Sequence, residues 1–433
     1  MFVSRLKIEN VRGFLEGEAA TDISVPAAPG WYVFAGRNGS GKSTLLRSLA
    51  LALAGPDVAR QLLTSAARWI RKDADTAQVS VDFSHNAGFD RFIGMGKLPA
   101  KKGMTSSLIW KRQQGGPEPE LSFVPQRQTK LAGAWRGPWS GNPTGWLVVG
   151  YGPFRRLTGH NAEAVCAMMG PHHVKRLASL FYEDPSLKEV VEWLKTEKLR
   201  DYQGNADAKE LLSGIASLLN DGLLPDDAQV EGVDPEGLWV TRAGTRIELQ
   251  DLSDGYRVAL GLVLDLIRHM SDAHGTVEFG KADGHRVVLN PGVVLIDEVD
   301  AHLHISWQQR IGDWLKGRFP EVQFFVTTHS PFVCQAASAH GLFTLPGPGD
   351  ERGIELVDES TYVHVVNGGV EDAVLSRLFG LERSESAKAH ELRLEWSRLQ
   401  AKMLRKALSP TELRRHKELA RQLPFDFETS AAE

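Results

Sequence analysis

Cysteine is nearly absent from the sequence. The two that occur, Cys166 and Cys334, lie far apart and outside any metal-ligand spacing. That excludes a disulfide scaffold and fits a reducing compartment, with the cytoplasm as the default expectation. A long apolar run is also missing. The most hydrophobic helical stretch, Val258 to Met270, is too short to span a bilayer and carries Asp265 and Arg268, so no membrane segment is expected. The opening MFVSRLKIENVRGF alternates like a strand and lacks the charged start and apolar core of a secretion signal. It is expected to belong to the fold. No charge of one sign dominates: 50 Lys+Arg stand against 54 Asp+Glu, a formal net charge of −4, so any nucleic-acid surface is a local patch. Internal repeats and sustained heptads are lacking too, which excludes a long coiled-coil arm.

What remains is an ordinary globular composition, 42% hydrophobic and 24% charged over 433 residues. It is enough to bury a sizeable core in about two or three domains. Phe2 to Asn10 and Trp31 to Ala35 read as strands, the second running into a glycine-rich turn and a helix from Lys42 to Ala54. A Pro/Gly/Trp-rich stretch around Trp110 to Trp146 and a helical part from His172 to Leu224 follow. Next come a helix from Gly255 to Ser271, an apolar strand Val293 to Ile296, a helix Ile305 to Arg318 and a strand Val322 to Thr327. Strands alternating with helices imply an α/β fold with a mostly parallel sheet. The expected division is 1–159, an N-lobe; 160–239, a helical insertion; 240–370, a C-lobe; and 371–433, a charged helical tail.

Gly36-Arg37-Asn38-Gly39-Ser40-Gly41-Lys42-Ser43 matches GxxxxGK[ST] and sits between an apolar strand and a good helix, the context that identifies a P-loop. Backbone N–H groups of Gly36, Asn38, Gly39 and Gly41, continuing through Thr44, converge on phosphate oxygens; Lys42 adds a point charge and Ser43 a ligand for Mg²⁺. The implied ligand is a nucleoside triphosphate, ATP. Val293 to Ile296, followed by Asp297-Glu298, is an apolar strand ending in two carboxylates. Asp297 is expected at the metal, and Glu298 beside the γ-phosphate as the base that polarises water. Ser253 and Gly255, directly before a long helix, place a hydroxyl and an amide where an anion binds, although a serine there also serves as a plain N-cap.

Leu252-Ser253-Asp254-Gly255-Tyr256-Arg257 resembles the signature of ABC ATPases, with Asp254 and Tyr256 in place of the usual residues, and Thr327-Thr328-His329-Ser330-Pro331 resembles their switch histidine. The order P-loop, signature, acidic strand, switch histidine is the family order. The resemblance implies an ABC-type head with an antiparallel N-terminal part, a γ-phosphate sensed by His329, and a signature that caps the nucleotide of a second subunit, so that ATP cements a homodimer.

Within that family, Asp297-Glu298-Val299-Asp300-Ala301-His302-Leu303-His304 and the opening Leu6 to Phe14 resemble the RecF/SMC-like branch. Ile305 stands where a proline usually follows. With Tyr151-Gly152-Pro153-Phe154-Arg155-Arg156, Arg176 to Phe181 and Leu378 to Leu381, the chain is most similar to PtuA, the ATPase family of Septu and related retron anti-phage systems. This implies a separate HNH nuclease partner gated by nucleotide state, and it allows oligomers larger than a dimer. No glutamine stands clearly at the loop that couples metal to the helical lobe; Gln126 is the candidate. A RecF-like DNA-repair ATPase without a nuclease partner is the alternative, and a transporter energy subunit fits less well.

Two features are readings to set aside, and a third stays open. Val366 to Asp372 is similar to the start of a TOPRIM nuclease domain, but Asn367 occupies the place of its glutamate and no apolar strand with paired aspartates follows, so no intrinsic nuclease is expected. His172-His173 and His302/His304 lack further ligands at metal spacing. The tail is basic, with Arg393, Lys402, Arg405, Arg414, Arg415 and Lys417 among its cations. Such a run suits DNA or RNA phosphates, a solvated face or a docking surface alike.

Overall fold

The computed structural model describes residues 1–17, 21–63, 65–94, 103–113, 118–123, 131–153, 171–182, 186–224, 228–347, 353–379, 385–405 and 408–423. Two compact units divide the chain, Met1–Ala373 and Val374–Glu433. No helix among the described residues is long and apolar enough to cross a membrane.

The first unit is α/β and is built on two larger sheets. In chain order its first seven strands are β1 (Phe2–Glu9), β2 (Thr21–Ser24), β3 (Gly30–Ala35), β4 (Thr76–Ser84), β5 (Met104–Lys111), β6 (Glu120–Phe123) and β7 (Val148–Tyr151). Then follow β8 (Gln229–Val233), β9 (Leu238–Arg242), β10 (Thr245–Glu248), β11 (Phe279–Ala282), β12 (His285–Val288), β13 (Gly292–Ile296), β14 (Val322–Thr328), β15 (Leu342–Thr344) and β16 (Glu355–Leu356). An antiparallel sheet has the order β2-β1-β4-β5-β6, and a second sheet the order β16-β15-β3-β14-β13-β7. All pairings in the second sheet are parallel except β15 with β16.

The two sheets differ as their sequences require. β3, β13 and β14 are buried at every residue, the continuous apolar pattern of parallel strands covered on both faces. β4 alternates buried and half-buried residues, as a sheet with one face toward water does. The helix Lys42–Ala54 is buried along almost its whole length, and one core joins Ile8 and Val79 of the antiparallel sheet, Leu45 and Leu49 of this helix, and Val293 and Phe325 of the parallel sheet. A buried side-chain amide ties the layers: Gln323 of β14 accepts from the Val3 amide at 2.7 Å and donates to the Val3 carbonyl at 2.9 Å. Satisfying both ends of the amide removes the penalty of burying it.

Between the motif-bearing segments lie the helices His172–Phe181, Ser186–Tyr202 and Ala206–Leu219. The strands β8, β9 and β10 follow as a separate antiparallel sheet, and a boundary at residue 239 falls inside β9. Its turn, Ala243-Gly244, carries φ of 48° and 76°, the left-handed pair of a tight hairpin. Short strands with charged outer positions leave little apolar periodicity to read in sequence.

The second unit contains the helices Ala387–Leu404 and Pro410–Gln422. Ser409 and Glu412 form a reciprocal capping box, and Arg415 holds Glu395 through two bonds of 2.9 Å. Trp396 stacks on His416 at 5.5 Å.

Candidate functional site

The parallel sheet brings the motifs to one edge. Ala35 of β3 pairs with Thr328 of β14, and Ile296 of β13 pairs with Val326 of β14 and Tyr151 of β7. Gly36, Asp297, His329 and Gly152 each follow a carboxyl end of adjacent strands, the edge where ligands bind in such sheets.

There the chain turns tightly. Gly39 and Gly41 have φ of 80° and 93°, and a Cβ on Gly41 would lie 3.0 Å from the Phe14 ring. Gly36 is as closely packed, 3.0 Å from Leu345 and from the Ser40 hydroxyl. Only glycine fits such a cradle. Lys42 is buried and its ammonium donates to the carbonyls of Gly36 at 2.9 Å and Arg37 at 3.1 Å. Burial pulls the Lys42 pKa down, and the charges of Glu298, Asp297 and Asp300 oppose that shift. Asn38, Gly39, Ser40, Gly41, Lys42, Ser43 and Thr44 line a cavity of about 780 Å³ whose far wall includes Asp297 and Glu298. That volume suits a small-molecule ligand.

Asp297 is wholly buried and accepts from the Thr327 hydroxyl at 2.6 Å. The same oxygen of Thr327 accepts from the Glu298 amide at 2.8 Å. Glu298 has a φ of 46°, so the chain reverses where its carboxylate meets the cavity. One residue further along β14, the Thr328 hydroxyl donates to Asp300 at 2.6 Å. His329 Nε2 and the Ser40 hydroxyl are buried polar atoms with no hydrogen-bond partner among the described residues. Burial, and then the charge of Lys42, lower the His329 pKa and favour the neutral ring. A glycine cradle, a lysine, a buried carboxylate and the orphaned Ser40 hydroxyl fit a nucleoside triphosphate with its magnesium ion, while His329 follows the same sheet edge without lining the cavity.

Ser253 and Gly255 lie elsewhere. They line a second cavity of about 360 Å³ with Arg242, Tyr256, His302, His304, Ser306 and Trp307. Ser253 occupies the N-cap position of the helix Asp254–His274, yet its side chain makes no capping bond. A Cβ on Gly255 would have no neighbour nearer than the His302 carbonyl at 3.8 Å. His304 caps the next helix, Ile305–Arg318, by accepting from the Ser306 amide at 3.3 Å. Asn367 ends the helix Glu359–Asn367 rather than following a strand. Phe154, Arg155, Arg156 and Gln126 fall outside the described residues.

The sequence assigns no role to two arginines of the first cavity, although Arg12 lies within the opening segment Leu6 to Phe14. Arg12, at a φ of 50°, lies over the Trp69 ring at 5.2 Å and within 3.5 Å of the Thr44 hydroxyl. Arg47 projects from the P-loop helix into the same cavity wall. Both pKa values are lowered chiefly by burial, and Arg47 adds to the shift of Arg12. An arginine at an irregular distance from a P-loop has no spacing signature. Only its position four residues after Ser43, on the same helix, could have flagged Arg47.

The chain is similar in sequence to known proteins. Residues 170–335 match the family described as "AAA domain, putative AbiEii toxin, Type IV TA system", and residues 5–118 match an "AAA domain" family. The Septu protein PtuA of Bacillus mycoides (strain KBAB4) is 24% identical over 333 residues, 76% of this chain and 38% of that protein. The Retron Vc95 probable ATPase of Vibrio cholerae serotype O1 biovar El Tor is 31% identical over 144 residues, 32% of this chain and 26% of that protein. The chain therefore spans well under half the length of these relatives. Among solved structures, an SMC head bound to the C-winged helix domain of ScpA aligns at 16% identity, with 83% of this chain, 99% of that chain and a TM-score of 0.49.

Proposed function

We propose that this chain, an ABC-type ATPase head like PtuA, binds ATP with Mg²⁺ and hydrolyses it between two copies as part of an anti-phage defence system, and that its nucleotide state gates a separate HNH nuclease. The observation that carries the reading is the separation of the two half-sites. The P-loop and the Asp297-Glu298 pair face one cavity, while Ser253 and Gly255 face another. A signature hydroxyl and amide that do not meet their own P-loop make chemical sense opposite the phosphate held by a second copy.

In this scheme Lys42 and the backbone of Gly39 to Thr44 hold the phosphates. The Ser43 hydroxyl and the Asp297 carboxylate would hold the magnesium ion, which would supply positive charge against the phosphates. Thr327 fixes Asp297 by its hydroxyl proton and Glu298 by its lone pair, which aims the Glu298 carboxylate to accept a proton from the attacking water. The neutral His329 ring offers Nε2 to the γ-phosphate. Similarity to PtuA and a retron ATPase supports the defence role.

The test has two arms. Calorimetry should show ATP binding that depends on Lys42, and ATP turnover should depend on protein concentration in the range where copies associate. Concentration-independent turnover by a monomer would overturn the shared site. For the partner, an HNH nuclease should be encoded beside the gene and co-purify with the chain, and its activity should differ between ATP-bound and nucleotide-free complexes. A nuclease indifferent to nucleotide would overturn the gating role.

A further inference from the structure

The helix His172–Phe181 ends against the nucleotide site. Its apolar face, Val174, Leu177, Ala178 and Leu180, is buried. Its last carbonyls have no partner within the helix, as at every helix C-terminus. One of them is taken by an arginine from outside: Arg47 Nε donates to the Leu180 carbonyl at 2.9 Å, and its guanidinium lies over the Phe181 ring at 5.6 Å. A cation there also meets the negative end of the helix dipole. The same side chain lines the cavity that contains Lys42, Asp297 and Glu298.

A second tie fixes the helix end to the sheet. Ser179 donates to the Gly150 carbonyl of β7 at 2.8 Å, and a Cβ on Gly152 would collide with the Ser179 carbonyl at 2.3 Å. The carbonyl of Tyr151, between those glycines, accepts from the Asp297 amide at 2.8 Å. The following helix, Ser186–Tyr202, reaches the signature helix, where Arg268 binds Glu189 at 2.9 Å. The helical segment is thus tied to the cavity wall through Arg47 at one end and to Arg268 of the helix Asp254–His274 at the other.

We infer that Arg47 is a positioning residue that transmits occupancy of the nucleotide cavity to the helix His172–Phe181 through its hold on Leu180. The inference rests on the nucleotide reading above. A guanidinium has five donors in a rigid fork, so Nε keeps Leu180 while the outer nitrogens take an anion in the cavity. An added phosphate therefore draws both partners onto one planar group and tightens the helix end. A lysine, with one point charge, cannot hold the two in fixed geometry.

Hydrogen exchange on the full chain, with and without Mg·ATP, tests this. In the parent protein ATP should slow exchange at the P-loop and also, by about fivefold or more, at the amides of residues 177–182. Arg47→Lys should keep the P-loop response and lose the response at 177–182. A purely structural arginine would instead raise exchange at 177–182 equally in both nucleotide states. Arg47→Gln, which keeps a donor for Leu180 without the charge, gives the same reading if the lysine variant folds poorly. A P-loop response in the parent without one at 177–182, or a variant that responds like the parent, overturns the inference. Absence of any P-loop response would remove the nucleotide reading, and the inference with it.

Discussion

Thr327 joins the two carboxylate-bearing residues of the site, donating to Asp297 Oδ1 at 2.6 Å while its own oxygen accepts from the Glu298 amide at 2.8 Å. A side chain on β14 thereby sets the register of two residues at the end of β13. Thr327→Val keeps the volume and removes both bonds. Stability should fall by about 1–3 kcal/mol, because a buried carboxylate and an amide each lose a partner. Turnover should fall by about 10- to 100-fold, as when an outer support of a metal ligand is lost. Melting temperature and ATPase rate check the two effects, and a variant unchanged in both would show that Thr327 does not organise the site.

Glu298→Gln separates binding from chemistry. The amide keeps the size of the side chain and removes its capacity to accept a proton, so ATP affinity should stay within about threefold while turnover falls by about 10² or more. Single-turnover measurement alongside calorimetry distinguishes the two. Hydrolysis at the parent rate would move the base elsewhere.

His274 gives the fold an acid-sensitive position. Burial pushes its pKa down to about 4, against the opposing charge of Asp90. Its ring sits edge-on to Phe89 at 5.2 Å, and Nε2 meets the Pro291 carbonyl at 3.1 Å. In the unfolded chain the ordinary value is about 6.5, so the unfolded state binds more protons between these limits. The stabilisation is complete above about pH 6.5 and is lost as pH falls toward 4, amounting to about 2–3 kcal/mol. Urea unfolding at pH 7 and pH 5 should show a larger loss for the parent than for His274→Gln. Equal losses would place the acid sensitivity at other residues.

The sequence made the central elements legible because their physical signal is strong. β3 and β13 are continuous apolar runs and β14 has an apolar centre, Phe324 to Val326; they are followed by Gly36, Asp297 and His329, and a parallel sheet must bring such ends to one edge. Thr327 could not be assigned, since a threonine next to a histidine motif reads as strand composition until its hydroxyl is seen between Asp297 and Glu298. Arg12 and Arg47 escaped for a similar reason: each reaches the cavity through long-range packing, on Trp69 and on Leu180 with Phe181. The antiparallel sheet β8 to β10 is too short and too charged at its outer positions to give clear alternation. His304, set aside as a metal ligand, caps a helix.

The most direct test of a site shared between copies is complementation by co-expression. Lys42→Ala alone should lose ATP binding without unfolding, and Ser253→Arg alone should bind ATP but not hydrolyse it, because a bulky cation at the helix start blocks approach of the second copy. A heterodimer carrying one of each, isolated through two different tags, has one site with an intact P-loop facing an intact signature and one site with neither. The ATPase rate of that heterodimer is the measurement. Hydrolysis returning where both single variants have none is the predicted result, and an inactive, verified heterodimer would contradict a site shared in trans.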